Sequence, residues 1–403
     1  MTERQERAEA ILNKQFKMTD GGRIDYIRDL YTTFNPEVDL QALIDGGYID
    51  VLDQMMEPVT MSYDEHAPEV IAYWAKKGMV KEIHGQNKVM SWTEYADKTG
   101  YVWQPIFKGN GVQNNFKLWN SFVPVSAFRP ENAGRKYPVV FVLHGGFNPI
   151  SIIDGWGWVQ EAAKREWIVI VPSIELDSIV EEILEEAKQL YPVDESRVYV
   201  CGFSYGGFTT NVYGNKRPDL VAAVAPCGAA MDNAYCEKAM GPEPQEPFDG
   251  ISRAAQMGTY MPIINIYGNL DGHRFPFYNY TGFLHYDGGP KTLVDGLNHW
   301  LDTNHAEKVS LEDVMALKDS TTCSIEEKMI GVPIAPDCRE TVCRDGLTHH
   351  IASFKSEDGI VRTKLMCTMN MPHWTTPEMC YQAFEFFSHF SRDPQTKESI
   401  YHE

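Results

Sequence analysis

The stretch VYVCGFSYGGFTTN (198–211) sets one hydroxyl among small residues: Gly202 stands two positions before Ser204, and Gly206 and Gly207 follow it closely. A nucleophilic oxygen at the end of a buried strand needs a turn into a helix too sharp for bulk, and G-F-S-Y-G after RVYV has that form. The competing reading of Ser204 is a plain turn residue. Its place between an apolar strand and a helix candidate, FTTNVYGNKRPD, favours the nucleophile. Such a serine needs an imidazole to take its proton and a carboxylate to hold the ring's tautomer. It also needs backbone N–H groups aimed at the developing oxyanion.

In an elbow arrangement these partners follow in the order serine, acid, histidine. Of the 12 histidines, His373 in NMPHWTTPEM comes directly after the last strand pattern and before the closing helix, which makes it the expected base. His349 and His350 fall inside a strand pattern, and His299, His305 and His389 inside apparent helices, where core or solvated roles fit. His144 precedes the serine, so shaping its own loop is the expected task. The acid is expected at Asp271, on the Gly-bounded loop after the apolar strand in MPIINIYGNLDGHRFPF; Asp287 and Asp302 follow no strand directly and are reserves. The amide of Tyr205 is one expected oxyanion donor. The other belongs to the HGGF loop (144–147), at Gly146 or Phe147, where glycine lets backbone approach a ligand. Trp158, Phe203, Phe275 and Trp374 neighbour these motifs and are candidate substrate-binding edges, leaning toward an ester with an aromatic or apolar group.

Such groups must be brought together by a scaffold, and the chain reads as one. Continuous apolar runs, PVVFVLHGG (138–146), WIVIVPS (167–173), RVYVCGFS, LVAAVAP and MPIINIYGNLD (261–271), alternate with the helical patterns GWVQEAAKREW and SIVEEILEEAKQLY. That rhythm predicts a mostly parallel sheet covered by helices on both faces, an α/β fold. TEYADKTGYVWQPIF and NNFKLWNSFVPV read as aromatic-rich strands ahead of it. HIASFKSEDGIVRTKLMCTMN reads as two strands around an Asp-Gly turn, and YQAFEFFSHFSR as the closing helix. Residues 1–85 have a helical texture and form an N-terminal extension, a packing element first and a lid or dimer arm second. Residues 86–403 form the catalytic domain.

The 403 residues carry 36 basic and 56 acidic side chains, a net charge of -20, which disfavours nucleic acid or an anionic membrane as partner. A small-molecule ester is the expected partner; a homo-oligomer stays compatible with the sequence. The start, MTERQERAEAILNKQFKM, lacks the apolar centre and cleavage site of a secretory signal, and no run approaches the roughly 20 apolar residues of a membrane helix. Eight dispersed cysteines without zinc-type spacing fit a reduced, cytoplasmic protein, or a secreted one if a precursor signal was removed. Pairing of Cys338 with Cys343 stays open. The chemistry requires no metal or organic cofactor.

Taken together, VVFVLHGG, VDESRVYVCGFSYGGFTTNVYGNKRPDLVAAVAPCGAA, INIYGNLDGHRFPF with LVDGLNHWLDTN, and MPHWTTPEMCYQAFEFF resemble the α/β-hydrolase superfamily, in particular the polyhydroxybutyrate depolymerase and feruloyl esterase group. The resemblance spans roughly residues 116–392 and implies a triad of Ser204, Asp271 and His373 in a serine esterase. The helical start is outside the common pattern. A serine peptidase of the prolyl oligopeptidase kind shares the elbow and the triad order, but usually carries a propeller that about 115 preceding residues without blade repeats do not provide. A hydrolase fold that binds without catalysis is the second alternative.

Overall fold

The computed structural model describes residues 99–108, 117–145, 157–172, 179–229, 231–232, 252–268, 289–319, 322, 339–344, 346–369, 371 and 375–403, with the backbone of four short strands ahead of them. Those four are Met18–Thr19 paired with Arg23–Ile24, and Val80–Ile83 paired with Gln86–Val89, both antiparallel. The helices expected in residues 1–85 lie outside the described residues.

The chain divides into two compact units. In chain order the elements are β1 (Tyr101–Lys108), β2 (Lys117–Pro124), β3 (Tyr137–Leu143), α1 (Trp158–Lys164), β4 (Ile168–Pro172) and α2 (Ile179–Leu190). Then come β5 (Val193–Phe203), α3 (Tyr205–Lys216), β6 (Ala223–Cys227), α4 (Arg253–Met257), β7 (Ile263–Gly268), α5 (Gly289–Thr303) and α6 (Leu311–Asp319). The chain closes with β8 (Arg339–Arg344), β9 (Leu347–Lys355), β10 (Val361–Thr368), α7 (Pro377–Ser388), β11 (Phe390–Arg392) and β12 (Ser399–Tyr401).

The first unit, residues 1–135 and 147–192, holds β1, β2 and β4 in an antiparallel run with β2 in the middle. Trp119, Asn120, Ser121, Phe122 and Val123 of β2 are all buried, and because successive side chains of a strand point to opposite faces, both faces of β2 are covered. Helix α2 buries Val180, Ile183, Leu184 and Ala187 at helical spacing and packs on β2.

The second unit, residues 136–146 and 193–403, contains the expected parallel sheet. Its strands run β3-β5-β6-β7-β10 side by side and parallel, with β9 and β8 added antiparallel at the β10 side. Val, Ile and Leu fill these strands because both faces are covered. On one face, Gly214 of α3 approaches Val224 of β6 and Trp300 of α5. On the other, Phe387 of α7 stacks on Tyr199 of β5 with ring centroids 4.8 Å apart.

The end of the chain departs from expectation. The closing helix stops at Ser388, and Phe390–Arg392 forms a strand paired with Ser399–Tyr401. The cause is long-range. Arg392 donates to the carbonyls of Val221 (3.1 Å), Tyr260 (2.8 Å) and Lys397 (2.9 Å) and to Thr259 Oγ1 (2.7 Å). His305 and His389 likewise fall just past helix ends rather than inside helices. Cys343 is a free, exposed thiol.

Candidate active site

Ser204 occupies the single position between β5 and α3, with φ 56° and ψ −115°. A side chain in that region is strained, by about 1–3 kcal/mol, and persists only where its surroundings enforce it. They do so here. The Ser204 N–H donates to the Cys227 carbonyl at 2.9 Å, and its carbonyl accepts from the Phe208 N–H at 3.0 Å.

The three glycines of the motif are fixed by space. A Cβ on Gly202 would lie 2.3 Å from the Gly206 carbonyl oxygen, and one on Gly206 would lie 2.3 Å from the Leu143 oxygen and 2.5 Å from that of His144. One on Gly207 would meet the Ala229 Cβ at 2.5 Å. The first turn of α3 is thereby pressed against the end of β3, where the HGG segment begins. This tight packing leaves Ser204 6 % exposed, more enclosed than an elbow read from sequence suggests.

His144 is half-buried, and its Nδ1 contacts the Gly145 carbonyl at 2.9 Å, so the ring folds onto its own loop. Tyr205, whose amide is the first expected oxyanion donor, opens α3 directly after the serine. Beneath the elbow, the side chains of Cys201 and Cys227 are buried, and burial pushes the Cys201 thiol well above its ordinary range, which suits inert core residues.

Strands β3, β5, β7 and β10 are parallel neighbours or near neighbours, so the loops that follow them leave from one edge of the sheet. Two of these ends touch: a Cβ on Gly268, the last residue of β7, would stand 2.1 Å from the Met371 carbonyl oxygen, just past β10. Asp271 comes three residues after Gly268, and His373 two after Met371. Asp271, His373, Gly146, Phe147, Phe275 and Trp374 themselves lie outside the described residues, as does the reserve Asp287. Asp302 is on α5 and pairs with Lys308 at 2.7 Å, both exposed. Trp158 and Phe203 are 0 % and 1 % exposed, so neither offers a ring face to solvent.

Around this edge sit titratable groups that sequence reading set aside. His349 and Thr368 are opposite one another in the β9–β10 pair, with Nδ1 2.9 Å from Oγ1. Glu378 is buried in the first turn of α7, and burial raises its carboxyl to about 7. Among the described residues no group of three or more His, Cys, Asp or Glu is arranged to hold a metal ion, and no helix is long and apolar enough to cross a membrane.

Comparisons with known proteins match parts of this chain. The family model described as "Prolyl oligopeptidase family" matches residues 177–271, a stretch running from α2 through the elbow to Asp271. A poly(3-hydroxyalkanoate) depolymerase C from Paucimonas lemoignei is 24% identical over 143 residues, 28% of this chain and 34% of that protein. The chain thus spans about a third of the length of that curated relative. Among solved structures, a feruloyl esterase module from Clostridium thermocellum covers 77% of this chain and 94% of its own at 13% identity, TM-score 0.41. An acetyl xylan esterase from Aspergillus awamori covers 71% and 99% at 14% identity, TM-score 0.41. By their names the two solved structures are esterases and the curated relative is a depolymerase.

Proposed function

We propose that the protein is a serine esterase that cleaves carboxylic esters through an acyl-enzyme, with Ser204 as nucleophile, His373 as base and Asp271 as the acid that orients it. The observation that carries this reading is the strained backbone of Ser204 at a strand-to-helix junction whose three glycines admit no side chain. Strain of this kind is retained where function needs it.

His373 takes the Ser204 proton as the oxygen attacks the ester carbonyl. Asp271 accepts the hydrogen bond of the other ring nitrogen and stabilises the imidazolium. The amide N–H of Tyr205, joined by one from Gly146 or Phe147, holds the oxyanion. His373 then protonates the leaving alcohol, and water activated by the same imidazole releases the acid. Each oxyanion donor is worth on the order of 10²–10³ in turnover. Phe275 and Trp374, adjacent in sequence to the acid and base loops, favour an aromatic or otherwise apolar ester.

The test is hydrolysis of 4-nitrophenyl acyl esters alongside aryl, short-chain alkyl, hydroxyacyl and sugar esters, with Ser204→Ala as control. Turnover that disappears in Ser204→Ala supports the reading; turnover that survives it removes Ser204 as nucleophile. A second reading, a serine peptidase, is favoured by the family-model match alone. Cleavage of proline-containing peptides in preference to the nitrophenyl esters would select it.

A further inference from the structure

The outermost strand of the second unit's sheet is β8, which pairs antiparallel with β9 from Arg339–Ala352 to Arg344–Leu347 without a bulge. Among the described residues no strand pairs with its outer side. Glu340, Thr341 and Cys343 are exposed, and Val342 and Arg344 are half-buried. Sheets usually blunt such an edge with lysine, proline, a bulge or a covering element, because its outward N–H and C=O groups invite another strand. The strand RETVCR contains neither lysine nor proline.

What the strand carries instead is a pattern that complements itself. Glu340, Val342 and Arg344 alternate onto the face covered by α7, and Thr341 and Cys343 onto the other. The Arg344 guanidinium lies 3.4 Å from the ring centroid of Tyr381 on α7, and Glu340 is 3.8 Å from Lys364 Nζ on β10. A second copy turned about a two-fold axis at Val342 places its Arg344 opposite Glu340 and its Glu340 opposite Arg344. Val342 then faces Val342, and Thr341 faces Cys343. Opposite charges and β-branched residues directly across an antiparallel ladder both stabilise it. No other antiparallel register sets Glu340 against Arg344. With a net charge of -20 on each chain, copies repel at long range, so association needs a local complement of this kind.

We infer that β8 is a homodimer interface: two copies of this chain pair their β8 strands antiparallel about a two-fold axis at Val342. The inference does not depend on the esterase reading. It carries a chemical signature at neighbouring positions. In this register the two copies of Cys343 are diagonal neighbours roughly 7–8 Å apart, beyond the reach of a disulfide. Residue 342 faces its own copy with Cα atoms about 4.5–5.5 Å apart, within that reach. The dimer therefore forms without a covalent link, and two short strands make a small, reversible interface.

Sedimentation velocity of the full chain in reductant, from roughly 1 to 100 µM, is expected to show a reversible monomer–dimer equilibrium. Glu340→Arg sets two positive charges opposite one another, and Arg344→Glu two negative ones. Each variant alone is expected to be monomeric, with dimer dissociation raised about tenfold or more. Mixed in equal amounts, the two variants restore both opposite-charge pairs, and dimer is expected to return. A defect in folding cannot produce that recovery. A wild type that stays monomeric throughout overturns the inference and leaves the esterase reading intact. A dimer that persists in either single variant, or a mixture that stays monomeric, overturns it as well. If either variant does not fold, Val342→Cys and Glu340→Cys are each oxidised in a Cys343→Ser background. A disulfide-linked dimer from Val342→Cys alone supports the register, whereas no link, or equal linking in both, overturns it.

Discussion

The carbonyl oxygen of Leu143 stands 2.3 Å from the point a Cβ on Gly206 would occupy, so the end of β3 and the first turn of α3 meet backbone to backbone. This contact brings the carbonyls of Leu143 and His144, where the HGGF loop begins, against the first turn of the helix that Tyr205 opens. It also makes the glycine requirement steric and not a matter of turn preference.

Gly206→Ala is therefore expected to destabilise the protein by about 1–3 kcal/mol through overpacking, since the clashing atoms are backbone and cannot swing aside. Gly134→Ala serves as comparison, because nothing lies within 4 Å of its would-be Cβ. Urea unfolding of the two variants measures the difference. Equal midpoints would mean that the elbow packs more loosely than described.

Ser204 should show a trade of stability against activity. Replacing it with Gly removes the penalty of φ 56° and is expected to raise stability by about 1 kcal/mol while ester turnover disappears. Ser204→Ala keeps the strain, so its melting temperature should stay near wild type. Differential scanning calorimetry of both variants checks the pair.

Much of this arrangement is legible in the sequence. Val198–Phe203 reads as a buried strand because Val, Tyr and Cys leave no polar face, and the glycines around Ser204 announce a turn too tight for side chains. The antiparallel pair around Asp358-Gly359 shows through its turn chemistry. Other features depend on distant partners and leave no local signal. Phe390–Arg392 continues a helical pattern, yet Arg392 is drawn into a ring of carbonyls from residues 221, 260 and 397, which no periodicity encodes. His349 reads as a core histidine in a strand. Only the register shows that it shares a face with Gly268.

Arg392 offers a direct check of that long-range logic. It is buried and holds three backbone carbonyls and Thr259 Oγ1. Arg392→Met leaves these acceptors without their donor, at roughly 1–3 kcal/mol for each one left unsatisfied, so a loss of about 3 kcal/mol or more is expected. Arg392→Lys should fall between, because an ammonium cannot span the fork. Denaturant titration with an unchanged midpoint in Arg392→Met would refute the assignment.

The buried carboxyl of Glu378 gives a pH dependence with a definite sign. Burial raises it from 4.5 to about 7, so the folded state binds a proton more tightly than the unfolded chain. Stability from this group is present below about pH 4.5 and is lost as pH rises through 7. His299 and His349, both lowered to about 4 by burial, act in the opposite sense and weaken the fold as pH falls from 6.5 toward 4. Melting temperatures of wild type and Glu378→Gln from pH 4 to 8 isolate the carboxyl: the variant should gain on wild type as pH rises through that window. Parallel curves would show that Glu378 is not held protonated.

The most direct test of the central claim is covalent. Wild-type protein treated with a fluorophosphonate and digested should carry one phosphonyl group, on the peptide containing Ser204, with ester hydrolysis lost in step with labelling. His373→Ala should label far more slowly and Ser204→Ala not at all. Absence of label from the wild type, or label on any other residue, would contradict the account.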